Sequence, residues 1–95
     1  MPLVRLDDRV QSSADVVAQK VGEEMVLLDL ESGVYYGLDA VGSRVWELLM
    51  AHGRLRVIFE TMVEEYEVTP EVLHQDLLRL LQELQEKGLI QVTGE

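Results

Sequence analysis

The sequence predicts an α+β fold of winged helix-turn-helix type: a three-stranded antiparallel β-meander followed by three α-helices. Three observations carry that expectation. Short apolar runs joined by Gly-containing turns fill residues 16–38, three amphipathic stretches with cap signals follow between residues 39 and 88, and 47% of the 95 residues are apolar. A chain of this length builds one modest core.

The meander is read from its hairpins. The stretch EMVLLDLESGVYYGL holds Met25, Val26, Leu27, Leu28 and Leu30, an apolar run broken only by Asp29 and closed by Glu31-Ser32-Gly33, a connection of hairpin length. Such a run predicts a strand over 24–30 buried on both faces. The next, Val34, Tyr35, Tyr36, Gly37 and Leu38, suits a pleated surface and stops where a helical pattern begins, which suggests a sheet edge over 33–38. Upstream, VVAQKV over 16–21 alternates weakly, and Gly22-Glu23 makes a tight turn into Glu24. Residues 1–15 begin with a short alternation, Leu3 and Arg5 against Val4 and Leu6, then become polar. They read as an extended arm or loosely attached strand before one domain over 16–95.

Asp39 is placed to cap the first helix, with Val41, Val45, Leu48 and Leu49 at core spacing, Trp46 on the flank and Gly53 as the stop. Gly42 costs helix propensity unless something packs closely on it. Leu55, Ile58, Phe59, Met62, Val63 and Tyr66 mark the second helix, whose wet side carries Glu60, Glu64, Glu65 and Glu67. The third has Thr69 as N-cap, Pro70 at its first position and Glu71 at the positive end of its dipole. Gly88 ends it, Leu89 is expected to press on Leu84, and Ile90 to Val92 suit a short final strand.

Leu73, Leu77, Leu80 and Leu84 form the expected seam of this helix, and with Leu78 and Leu81 the apolar arc reaches about 160° at roughly 100° per residue. That is wide for one packed surface. Either the helix is central to a bundle and buries the whole arc, or one margin lines a groove. A sheet edge beside an amphipathic helix is a common receptor for an extended peptide, whose backbone pairs with the strand while alternate side chains enter pockets. The candidate edge is Val34 to Leu38, and the wall is the helix bearing Leu73, Asp76, Leu77 and Leu80. For Tyr35 and Tyr36 the plainer alternative is ordinary sheet packing.

Charge and composition exclude several classes. Eighteen acidic against eight basic residues leave a net charge of −10, against nucleic acid as main partner and in favour of one with basic segments. A winged-helix reader of DNA would insert the third helix, yet its Arg79 and Lys87 are outnumbered by Glu71, Asp76, Glu83 and Glu86. Absence of cysteine rules out disulfides, thiolate metal sites and a cysteine nucleophile within this chain. No signal-like start or membrane-length apolar run is seen, so a cytoplasmic protein is expected. His52 reads as a helix-end surface group and His74 as a packing residue. Neither has metal-site or catalytic company, so no enzyme activity, cofactor or metal is expected.

Motif order points further. VLLDLESGVYYGLDAVGSRVWELL, then EEYEV, then TPEVLHQDLLRLLQELQEKGLI, resembles the PqqD-like proteins, also called RiPP recognition elements, and most of all their stand-alone members from lasso-peptide clusters. The resemblance covers about residues 16–92. Two departures stand out: Gly53-Arg54-Leu55-Arg56 lacks the family's Ser/Thr cap and acidic first turn, and the hairpin lacks the Pro-rich pattern of the pyrroloquinoline quinone proteins themselves.

The resemblance implies a non-catalytic domain that binds the leader region of a ribosomally made precursor peptide. The leader would pair antiparallel with Val34 to Gly37, lie against the third helix and be delivered to a separate leader peptidase or other maturation enzyme. Apolar leader side chains would meet Val34 or Tyr36 together with Leu73, Leu77 and Leu80, and Asp76 would take a basic or hydroxyl group. The alternative from another class is an acidic winged-helix domain serving dimerisation or regulatory contacts.

Overall fold

The computed structural model describes residues 6–93. In chain order the elements are β1 (Arg9–Ser12), β2 (Val16–Val21), β3 (Glu24–Asp29), β4 (Tyr35–Leu38), α1 (Ala40–His52), α2 (Leu55–Glu65), α3 (Pro70–Glu86) and β5 (Ile90–Thr93). The expected meander is an antiparallel sheet ordered β2-β3-β4, and the expected three helices follow it. β1 and β5 form a second, two-stranded antiparallel sheet, with Val10 opposite Val92.

The β3–β4 turn forms because Asp29 organises it. Its carboxylate accepts from the Glu31 N–H at 3.1 Å and the Ser32 hydroxyl at 2.9 Å, while Gly33, at φ 74°, donates its N–H to the Asp29 carbonyl at 2.8 Å. A positive φ is cheap only for glycine. This turn consumes Val34, so the last strand of the meander starts at Tyr35 and not at 33 or 34 as expected.

Burial on β3 also departs from expectation. Met25 and Leu27 are buried, Val26 and Leu28 are half-buried, and Leu30 lies beyond the strand, 60% exposed. The run is therefore covered on one face, the usual state of an antiparallel sheet with one layer packed on it. A continuous apolar run does not itself establish a second covering layer.

α1 starts at Asp39, whose carboxylate accepts the Gly42 N–H at 2.8 Å. Gly42 is closely packed, since a Cβ there would lie 3.3 Å from the Leu38 side chain. The helix is rotated from the expected phase: Trp46 is buried and Val41 is 44% exposed. Arg44 ties α1 to α2 through a two-pronged pair with Glu65, at 2.9 and 2.6 Å.

The weak start of α2 finds a backbone solution. Arg54 supplies no side-chain cap, and the Leu55 N–H instead donates to the Asp8 carbonyl at 3.2 Å. Val10 donates to the Gly53 carbonyl at 2.7 Å and is 2% exposed, so residues 8–12 are integrated with the helices. The expected alternation at residues 3–6 lies largely outside the described residues.

α3 begins at Pro70, though Thr69 makes no side-chain cap bond. At its other end Gly88 sits at φ 75°, the Leu89 N–H reaches the Leu84 carbonyl at 2.9 Å, and Leu89 is fully buried, as expected. The buried seam is Leu73, Leu77, Leu81 and Leu84. Leu80, assigned to the seam from sequence, is only half-buried and belongs to the margin of the arc.

Candidate functional site

β4 is the outermost strand of its sheet, and the register fixes which of its groups remain on offer. Leu27 stands opposite Tyr36 and Met25 opposite Leu38, and the Asp29 N–H donates to the Val34 carbonyl at 3.0 Å in the same register. In an antiparallel ladder the hydrogen-bonding direction alternates residue by residue. Tyr36 and Leu38 therefore point their backbone groups at β3, while Tyr35 and Gly37 point theirs along the open edge.

Side chains alternate with the backbone. Tyr36 and Leu38 share the inner face with Leu27 and Met25, and Tyr35 lies on the outer face, 69% exposed. Tyr36 is thus the tyrosine turned toward α3. Its hydroxyl donates to Glu83 Oε2 at 2.8 Å, and Lys87 Nζ stands 5.6 Å from its ring centroid.

Burial, then the Glu83 hydrogen bond and the charges of Glu83 and Asp39, raise the Tyr36 phenol above its ordinary value of 10.0. A raised folded-state value means that this bond's contribution is complete below the ordinary range and is lost as pH rises through the folded value. We expect Tyr36→Phe to remove, in an ultraviolet pH titration, a phenol that ionises above the ordinary tyrosine range. Because the bond is exposed, the cost in stability should stay within about 1 kcal/mol.

Between β4 and α3 runs a cleft of about 420 Å³ lined by Tyr36, Gly37, Leu38, Asp39, Val41, Gly42, Asp76, Arg79 and Leu80. Asp76 and Arg79, one turn apart on α3, form an exposed pair at 3.4 Å. The two elements run in opposite senses along it. Tyr36, near the start of β4, meets Glu83 and Lys87, and Asp39, just past its end, lines the cleft together with Asp76. A second hollow of about 430 Å³ lies between β1 and the end of α1, but there the strand Arg9–Ser12 is already paired with β5.

The eight site residues named from sequence divide as follows. Tyr36, Gly37, Asp76 and Leu80 line the cleft, Tyr35 and Val34 are exposed on the edge strand and its turn, and Leu73 and Leu77 are buried in the core. Leu38, the end of the candidate edge, lines it too, as do Asp39, Val41, Gly42 and Arg79, which had no place in the expected site. Of these, Arg79 had a legible signal in its i,i+3 spacing from Asp76, whereas Val41 becomes available only through the rotation of α1. His74 packs edge-on against Phe59, ring centroids 5.7 Å apart, and His52 ends α1, in keeping with the plain readings of both. Among the described residues no group of three or more His, Cys, Asp or Glu side chains could hold a metal ion, and no helix is long and apolar enough to cross a membrane.

A three-stranded meander and three helices, with an open strand edge beside a helix-walled cleft, define a winged-helix-like domain of the PqqD type. The family profile "Coenzyme PQQ synthesis protein D (PqqD)" matches residues 24–90, and the chain belongs to this family. Among solved structures it is similar to "TbiB1 in Complex with the TbiA(beta) Leader Peptide", at 40% identity and a TM-score of 0.82, over 85% of this chain and 94% of that one. It also shares the fold of "Lasso peptide synthetase B1 complexed with the leader peptide", at 23% identity and a TM-score of 0.79, over 87% of this chain and 98% of the other. No curated protein matches the chain.

Proposed function

We propose that this protein recognises the leader region of a ribosomally synthesised precursor peptide, of lasso-peptide type, by β-strand addition to β4, and presents it to a separate leader peptidase or other maturation enzyme. It performs no chemistry itself and works in the cytoplasm. The observation that carries this reading is the open edge at Tyr35 and Gly37 beside the α3 cleft, in a chain 40% identical to a protein solved with a leader peptide.

The leader strand runs antiparallel to β4. Its backbone exchanges hydrogen bonds with Tyr35 and Gly37, so residues facing Tyr36 and Leu38 turn their side chains into the cleft. Each bond contributes only about 0.5–1.5 kcal/mol net, and the apolar anchors against Leu80 and Val41 therefore supply much of the affinity. Asp39 and Asp76 at one end suit a basic or hydroxyl-bearing leader residue.

Calorimetric titration with the leader tests this. Leu80→Asp places a charge on the half-buried cleft wall and should weaken binding at least tenfold with the circular dichroism melt little changed. A leader that binds this variant as tightly as wild type would remove α3 from the site.

A further inference from the structure

Exposed apolar side chains gather on the outer face of the β2-β3-β4 sheet. Cross-strand register puts Val17, Leu28 and Tyr35 in one row on that face and Val26 in the next. Leu30 extends it to the hairpin tip, and Val17, Leu30 and Tyr35 are 48%, 60% and 69% exposed. A one-layer sheet in water ordinarily turns polar residues outward, and a contiguous apolar face marks an interaction surface.

The charge around this face selects its occupant. Asp15, Glu23, Glu24 and Glu31 lie along β2, β3 and their turns, and Lys20 is the lone basic residue between residues 10 and 43. Lys20 points to the inner face, where its Nζ is held by Glu47 at 2.9 Å. Two copies of this chain meeting through the outer face would oppose acid to acid. The complement is an apolar surface with a Lys/Arg rim.

Direction supplies the second argument, which rests on the proposed function. A leader antiparallel to β4 enters beside Asp39 and leaves past Tyr35 and Val34. The segment that joins leader to product therefore emerges at the hairpin tip, at the border of the apolar face. Leader side chains opposite Tyr35 and Gly37 also lie on that face and widen it.

We infer that the outer sheet face, Val17, Val26, Leu28, Leu30 and Tyr35, is the docking surface for the processing enzyme, which meets it with an apolar, basic-rimmed patch and so finds the scissile segment beside it.

The test is the paired variant Val17→Lys, Leu30→Lys, neither position being on β4, the strand that the leader pairs with. With the leader peptidase of the same biosynthetic cluster, kcat/KM for precursor cleavage should fall at least tenfold, while leader affinity by calorimetry stays within twofold of wild type. Glu23→Lys with Glu31→Lys, which leaves the apolar face intact, should also slow cleavage and flatten its salt dependence. Unchanged cleavage by both variants would overturn the inference, as would a wild-type dimer in sedimentation that Val17→Lys, Leu30→Lys abolishes, since a second copy would then own the face. A wild-type protein that fails to bind leader at all would instead sink the functional reading.

Discussion

Gly37→Pro abolishes leader binding and leaves the fold standing. Proline lacks the N–H that Gly37 directs along the open edge, and its ring projects where the incoming strand must lie. Within a sheet, proline is tolerated where the missing donor would have faced outward from an edge strand. The outer side of Gly37 is empty, with nothing within 4 Å of an added Cβ. We expect affinity to fall by a hundredfold or more, through lost pairing and steric exclusion together, with the thermal melt shifted by only a few degrees. A variant that binds leader normally would show that the peptide does not pair at β4.

The second large effect separates neighbours on α3. Leu81 is fully buried, so Leu81→Ala should cost about 2–5 kcal/mol, the range for a truncated core leucine. For a domain of this size that is a large share of total stability and lowers the melting temperature on the order of 10 °C or more. Leu80→Ala should cost little stability and instead weaken the leader, because Leu80 lines the cleft. Reversal of the two outcomes would mean that the helix is rotated by one residue.

That pair also marks where sequence reading stops. At about 100° per residue, Leu80 and Leu81 flank the same wide arc, and only tertiary contact chooses which one enters the core. The same uncertainty of phase exchanged Val41 and Trp46 on α1. Features specified within a few residues were legible: the Asp39 cap, a hairpin turn through Glu31-Ser32-Gly33, the Gly88 stop with Leu89 folded under it. Pairing of Arg9 with Thr93 joins residues at opposite ends of the chain, and no local pattern announces it. The nearly unbroken run predicts a doubly buried strand over 24–30, yet among the described residues no layer covers its outer side. That mismatch between apolar sequence and exposed face is what motivates a partner there.

The edge at β4 was the candidate site from the sequence, and the structure narrows it. Backbone recognition falls to Tyr35 and Gly37, side-chain recognition to the cleft before Leu80 and Val41, and Leu73 and Leu77 serve the core. Leu77→Asp would therefore unsettle the fold rather than interrogate the site, as a buried unpaired carboxylate carries a heavy penalty.

The most direct test of strand addition is residue-resolved amide hydrogen exchange with and without the leader. Tyr35 and Gly37 amides should become protected on binding, while that of Tyr36, already directed at β3, changes little. The sheet has a second open edge at β2, where alternation directs the Ala18 and Lys20 amides outward. Protection appearing at Ala18 and Lys20, with Tyr35 and Gly37 unaffected, would contradict the account.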